Sequence, residues 1–540
     1  MSFKKIFKGT EATKLLLIAI LVAFVFYPFF QMVLNITAED VREVFSSKTF
    51  PVAVRNTIKI ALLTTLISVT IGTLLAFSVR RTNIRFKSIL AILLILPMLI
   101  PSISHGMGLI TLFGTNGIIR NLFGFEKTIY GIVGVVTGSV LYSYPVVFLM
   151  MDDMLKYQDG SPYEAAMVLG IPRWRSFFVV TMSYLKRPLI AAVFTVFTLV
   201  ATDYGVPLMI GGKTTTLAVM MYQEVLGQLA FGKGSVVGLI LLIPAILNFI
   251  INKIVKGKGK SSFVTKSVDN RRNVIRDVLA YVFCSLVLAS IVILLGSFAL
   301  IAFTKQYPAD LTITFANVRK MLALRGDKFL RNSFVIAIFV SGIGVVTAFL
   351  TAYMTTRVPS KLSGFLHIFS ITSLAIPGIV LGLSYAMTFG GSFIYGTLAI
   401  IILANVMHFF ASPYQMMYNS LSKMNANLEG VGLTLGIKRV RIILDVIIPQ
   451  CKSTIFEMIA YFFVNSMMTI SAVSFLANAT TKPLSLLISQ FEGQMLYECA
   501  AVVSLVILIS NVAIKGIVYL INRKIVKNQK KNSANTEVVG

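Results

Sequence analysis

Twelve stretches of this chain are each long and apolar enough to cross a lipid bilayer, and no other feature limits its folding so severely. They lie near 14–36, 57–79, 88–113, 130–151, 187–209 and 234–254, then 277–304, 333–355, 364–389, 394–418, 452–475 and 497–521. A hydrocarbon core needs about 20 apolar residues per helix, and every run meets that length. Composition agrees: 56% of the residues are hydrophobic and 13% charged, with a mean hydropathy of +0.84. A soluble 540-residue chain could not remain dispersed with so little charge. The first run is too long, and too poorly followed by a small-residue cleavage site, for a removed signal peptide. The expected fold is an all-α polytopic membrane protein of about twelve transmembrane helices.

The net charge of +28 would fit a nucleic-acid binder only if it formed a soluble basic face. Its placement gives another reading. Lys4, Lys5 and Lys8 precede the first run; Arg80, Arg81, Arg85 and Lys87 follow the second; a basic stretch runs from Lys253 to Arg276; Arg523, Lys524, Lys527, Lys530 and Lys531 close the chain. An N-terminus in the cytoplasm puts most of the 49 Lys and Arg residues inside. Lys/Arg bias in loops sets orientation, so both termini are expected to be cytoplasmic, and nucleic acid is not an expected partner. Cys284, Cys451 and Cys499 are isolated from one another, as are His105, His367 and His408. They point to neither a disulfide framework nor a metal site.

The runs form two halves of one plan. Arg55-Asn56-Thr57 opens the second run and Arg331-Asn332-Ser333 the eighth. Pro101 and Gly106 recur as Pro377 and Gly382, Tyr130-Gly131 as Tyr395-Gly396, and Gly227-Gln228 with Val236-Val237 as Gly493-Gln494 with Val502-Val503. Six spans per half give both halves one orientation, as in parallel repeats about an axis along the membrane normal. The expected division is a first domain over 1–254, a basic cytoplasmic linker over 255–276, a second domain over 277–522 and a basic tail over 523–540. Gly134 and Gly138 form a small-residue pair that reads as helix packing.

Each half also carries a polar segment, over 155–182 and 421–449, expected on the cytoplasmic side. The first contains Glu164, Ala165, Ala166 and Gly170, then Pro172, Arg173, Trp174 and Arg175; the second contains Glu429, Gly436, Lys438, Arg439 and Pro449. Two alanines leave a flat helix face, and Gly permits a turn or a close approach. The single tryptophan flanked by arginines suits an interface anchor, although Trp and Arg also gather at the headgroup level to fix a helix.

This spacing resembles the Glu-Ala-Ala signature of permease subunits of ATP-binding-cassette importers: Glu-Ala-Ala, three residues, Gly, nine residues, Ile-x-Leu-Pro. The first copy has Val180 and Met182-Ser183 at its end, where the family has Ile and Leu-Pro. The second keeps Gly436 and Pro449 but has Gly430-Val431-Gly432 in place of Glu-Ala-Ala, with Glu429 one position early. The resemblance implies the type I importer permease fold and a coupling helix that docks on an ATPase subunit. It further implies two ATPase subunits on the cytoplasmic side and an extracellular or periplasmic solute-binding protein as partners. ATP would then be bound by partners, with no cofactor or catalytic residue in this chain. In keeping with this, Gly211-Gly212-Lys213-Thr214 is no phosphate loop, because Pro207 stands where the first Gly is required.

Fused two-domain permeases of this length resemble the iron(III), thiamine and 2-aminoethylphosphonate branch of the family. Two stretches, Thr202-Asp203-Tyr204-Gly205-Val206-Pro207 and Tyr461 to Val473, are most similar to 2-aminoethylphosphonate permeases. That solute is the favoured substrate, with iron(III) or thiamine as the alternative. Intramembrane polar groups are costly and usually functional. Asp203, Asn465, Thr469 and Ser471 are therefore the pathway candidates, with Asp203 suited to an ammonium group and Asn465 and Thr469 four apart on one face. Hydrogen-bonded packing between helices is the competing role for these residues. An ion-coupled secondary transporter is the rival from another class; it calls for ionisable residues at the midplane of several helices, and the apolar runs contain few.

Overall fold

The computed structural model describes residues 3–124, 128–255 and 273–537; the side chains of residues 3–8, Arg173, Trp174, Leu433 and most of the C-terminal tail lie outside that description. Of the linker expected over 255–276, residues 256–272 lie outside the described residues, and the helix Val274–Ala302 begins within its expected end. Among those described, the chain is helical nearly throughout, with one β-hairpin. Thr304–Gln306 pairs antiparallel with Asp310–Ile313, in a register set by Thr304 opposite Ile313 and Gln306 opposite Asp310.

Eight of the twelve apolar runs are helical stretches long and apolar enough to span a bilayer: Gly9–Leu34, Thr49–Arg81, Ile132–Lys156, Phe177–Ala201, Phe231–Val255, Val274–Ala302, Ala316–Thr356, whose unbroken part is Asp327–Thr356, and Tyr497–Ile525. Two more are bent pairs, Lys361–Ala375 with Gly378–Phe389 at 103° and Leu398–Phe409 with Ala411–Ser422 at 50°. The span count among the described residues is thus eight to ten rather than twelve. The run over 88–113 divides at Leu96–Leu99 into Lys87–Leu94 and Ser102–Phe113. Pro97 and Pro101 lack the N–H that a continuous helix needs. The run over 452–475 is helical only to Met468. Apolarity marks what must be buried or face lipid; it does not register the breaks that Pro and Gly introduce.

The chain packs as two compact units that do not follow the two sequence repeats. One comprises the described residues up to Asn35, Leu322–Leu487 and those from Val506 on; the other comprises Ile36–Met321 and Ile488–Leu505. The first helix of each repeat belongs to the unit built mainly from the other repeat. Gly9–Leu34 lies against the second repeat, where the Tyr385 hydroxyl donates to the Phe24 carbonyl at 2.5 Å and Phe26 meets Phe369 edge-on at 4.9 Å. Lys14, fully buried, joins Glu11 and Ser360 at 2.7 Å each. Val274–Ala302 lies against the first repeat, where Leu294 and Phe298 fill the space beside Gly108.

Small residues set the core crossings. Thr49–Arg81 meets Ile132–Lys156 at Gly72, where a Cβ would stand 2.6 Å from the Val147 Cβ and 2.9 Å from the Tyr144 carbonyl. Ser68 and Ser143 share a 2.8 Å hydrogen bond at this crossing. In the other unit the Phe462 ring lies on Gly344. Removing side-chain volume lets helices approach where water-driven packing is weak. Gly138, read from sequence as a packing residue, holds Val206 at 2.7 Å from its Cβ position.

Candidate functional site

Each polar segment folds as a short helix, a tight reversal and the start of the next long helix. In the first, Ser161–Val168 is followed by Leu169 and then Gly170 at φ +66°. The Ile171 N–H donates to the Ala166 carbonyl at 2.9 Å, and the Gly170 N–H to the Met167 carbonyl at 3.1 Å. In the second, Leu428–Thr434 is followed by Leu435 and Gly436 at φ +69°, with the Ile437 N–H donating to the Gly432 carbonyl at 2.8 Å. The first is a Schellman termination, and the second repeats its longer bond; a left-handed residue after the helix end lets late N–H groups satisfy carbonyls that would otherwise be orphaned. Neither glycine has a heavy atom within 4 Å of its Cβ position. They serve the left-handed turn and not a close approach.

The altered second motif keeps its packing. Ala166 is buried, and its counterpart in the repeat is Gly432. The side chain of Ile442 occupies the place where a methyl on residue 432 would stand. The residue matching Ile442 in the first copy is the smaller Ser176. Volume lost on one helix is returned by the other, which is how close-packed interiors tolerate exchange.

Glu164, Ala165 and Arg175 are exposed in the first copy; Gly436 and Lys438 are exposed in the second, and Arg439 is half-buried. The tips of both short helices are apolar. Val168 is 84% exposed, Leu169 75% and Leu435 69%, beside the exposed Met167 and Val431. Arg173 and Trp174 begin the next helix, but their side chains lie outside those described.

Glu429 faces inward. It is only 8% exposed and forms a two-point ion pair with Arg357, its Oε1 accepting from the Arg357 Nε at 2.8 Å. Arg357 also donates to the carbonyls of Met424 and Asn425, at 3.2 and 2.7 Å. The Glu429 carboxylate raises the Arg357 pKa above the ordinary arginine value, against the opposing effect of burial. In the repeat Glu429 matches Tyr163, and Arg357 matches Arg81. Arg81 stands over the Tyr163 ring at 5.9 Å and hydrogen-bonds Gln158, while the Tyr163 hydroxyl pairs with Thr181. In the sequence Arg81 counts only toward the basic charge and Arg357 is not singled out, although they recur at the same offset as Pro101 and Pro377.

Both segments end on a π-helical turn, Phe177–Met182 in the first and Ile443–Ile447 in the second. Pro449 sits in the first turn of Ile448–Met468, where its missing N–H is consistent with a wider turn before it.

The pathway candidates separate. Asp203 accepts from the Ser102 hydroxyl at 2.6 Å and from the Val206 N–H at 3.0 Å, at the start of the short helix Gly205–Ile210. Asn465 donates to the Tyr461 carbonyl of its own helix at 2.7 Å. Thr469 lies beyond the helix end in extended conformation, so helical spacing does not put it on one face with Asn465. Ser471, in the following turns, lies beside Gly378.

A family model described as "Binding-protein-dependent transport system inner membrane component" matches residues 68–258 and 344–527. The chain belongs to that family. Each match contains one of the two glycine-turn segments and ends near the close of its repeat, so the duplication read from sequence is a duplication of the family unit. Among curated relatives, the ferric transport system permease protein FbpB of Actinobacillus pleuropneumoniae is 27% identical over 76% of this chain and 62% of its own length. The chain thus spans less than two thirds of that relative. The Fe(3+)-transport system permease protein FbpB 2 of Haemophilus influenzae is 23% identical over 84% of the chain and 87% of the relative. The molybdenum transport system permease protein ModB of Azotobacter vinelandii is 31% identical over 32% of the chain and 80% of the relative. These relatives are named as permeases, not enzymes.

Proposed function

We propose that this chain is the membrane permease of an ATP-binding-cassette importer, and that the segments over 155–182 and 421–449 dock on two separate ATPase subunits. The observation that carries the reading is the double occurrence, within the two family-matched regions, of a short helix with an exposed apolar tip closed by a glycine turn. The predicted cytoplasmic face, from Lys/Arg placement, is the side of these tips. A solute-binding protein delivers cargo to the opposite face, and both termini are cytoplasmic.

ATP must favour one conformation through differential contacts, and each tip needs a stiff connection to the spans for that bias to be felt. Arg357–Glu429 joins the second tip to the end of Asp327–Thr356, and Arg81 with Tyr163 and Thr181 joins the first to Thr49–Arg81 and the segment that leads into Ser183–Ala201. Movement of the ATPases thereby reaches the spans as rigid tilts, the alternating access of repeat-built transporters.

The cargo is a small solute, 2-aminoethylphosphonate on the resemblance of the segments over 202–207 and 461–473. Iron(III) is the second reading, favoured by relatives named for ferric transport. Purification of the chain with its ATPase and uptake in proteoliposomes tests both. ATP-dependent uptake of 2-aminoethylphosphonate or of iron(III) selects between them. Uptake driven by a proton or sodium gradient without ATP or any partner overturns the importer reading in favour of a secondary transporter.

A further inference from the structure

The second repeat holds a group of buried polar atoms that neither the docking segments nor the sequence-selected candidates explain. On the Leu398–Phe409 helix, Asn405 is fully buried, and neither its Oδ1 nor its Nδ2 meets a hydrogen-bond partner in the protein. His408, three residues on, has a buried and unmatched Nδ1. Positions three apart are neighbours on a helix face. Buried amides normally complete their hydrogen bonds, and one that makes none is worse for packing than a leucine. Two such residues a turn apart mark a surface shaped for something other than the protein's own core.

That surface meets a break in the chain. The His408 Nε2 and the Ser471 Oγ lie 2.8 and 2.6 Å from the Cβ position of Gly378. Gly378 opens the twelve-residue helix Gly378–Phe389, which leaves Lys361–Ala375 at 103°. A helix's first N–H groups have no intrahelical acceptor and carry the positive end of its dipole; here Leu381 bonds back to the Pro377 carbonyl at 3.0 Å. Where the first repeat has Ser102, glycine keeps side-chain volume out of this space. Breaks of this kind at membrane depth occur where protein buries them or where they line a cavity.

The groups are donor-rich and contain no carboxylate: the Asn405 amide, the imidazole of His408, the Ser471 hydroxyl and the helix start. Such a set favours an oxyanion over a cation. We propose that Asn405, His408, Ser471 and the first turn at Gly378 bind the oxyanion end of a small solute, in the shared chemistry of phosphonate, phosphate and sulfate. The inference deepens the permease reading and rests on it.

The test uses the full chain in lipid nanodiscs, with thermal stabilisation by methylphosphonate, inorganic phosphate, sulfate and chloride. At least one of the three oxyanions is expected to bind saturably where chloride does not. Its affinity is expected to fall at least tenfold in Asn405→Leu, His408→Phe and Gly378→Ala. Without anion, Asn405→Leu is expected to melt at or above the wild-type temperature, because an unmatched amide has been replaced by an apolar group of similar shape. That comparison separates a lost site from a lost fold. Absence of oxyanion binding by the wild type, or equal binding by all variants, overturns the site. ATP-driven uptake that continues unchanged in the three variants does the same and leaves the permease reading standing. Saturable, variant-sensitive binding in a chain that never transports with an ATPase supports the site and overturns that reading instead.

Discussion

Arg357 holds Glu429 by two points and at the same time caps the carbonyls of Met424 and Asn425. A single guanidinium thus fastens the short helix Leu428–Thr434 and the turn before it to the end of the long helix Asp327–Thr356. Its counterpart Arg81 fastens the short helix Ser161–Val168 through the face of Tyr163 and the amide of Gln158. Both copies keep the joint while its chemistry has changed from cation–π to ion pair. The acidic residue of the second segment is therefore structural in position, and it is not available on the surface.

Arg357→Met should leave the Glu429 carboxylate buried without its cation, which typically destabilises by about 3–5 kcal/mol. Replacing both, as Arg357→Met with Glu429→Leu, should recover most of that loss, since an apolar pair of similar volume often matches a buried ion pair. Arg81→Met removes a contact worth about 0.5–2 kcal/mol and should do less harm. Thermal unfolding of the four chains in detergent gives the comparison. Equal melting of wild type and Arg357→Met would show that the pair carries no stability.

Gly170 and Gly436 have open space at their Cβ positions and positive φ, so the backbone and not crowding decides what they tolerate. Alanine in the left-handed region costs about 1–2 kcal/mol, whereas asparagine visits it more readily. ATP-coupled uptake should fall in the order Gly, Asn, Ala, Val at both positions, with insertion retained. A valine variant that transports as well as the parent would contradict the role assigned to the turn.

The broad fold was legible because a bilayer imposes one rule on every span, and apolar length reports it directly. The breaks were less so: Pro97 and Pro101 divide one run and the 103° bend at Pro377–Gly378 divides another, since apolar counts do not weigh single N–H groups. The two helix–turn segments were legible through Gly170 and Gly436, where a turn demands one residue type. Glu429 was not. Its orientation depends on Arg357, 72 residues away in sequence, and no local pattern carries that pairing. The exchange of Ala166 and Ser176 for Gly432 and Ile442 was hidden for the same reason. A motif looked lost where its packing volume had moved to the partner helix.

The apolar tips carry the next test. Val168, Leu169 and Leu435 are well exposed, so a change there should shift the stability of the isolated chain by no more than about 0.5 kcal/mol. Leu169→Asp and Leu435→Asp should each weaken retention of the ATPase, because a charge placed in a desolvated contact is unfavourable. The double variant should lose it altogether. Retention unchanged in the double variant would place the ATPase contact elsewhere.

Orientation can be read with cysteine chemistry, because Cys284, Cys451 and Cys499 are all buried and give a low background. Ala426 and Ala479 are both exposed and flank the Ile448–Met468 helix, one in the polar segment over 421–449 and the other beyond the helix's far end. With Lys and Arg concentrated inside, Ala426→Cys should resist a membrane-impermeant maleimide in intact cells and react once the membrane is opened. Ala479→Cys should react in both conditions. The reverse pattern would put the docking segments outside, beyond the reach of any cytoplasmic ATPase, and would remove the premise on which the importer reading stands.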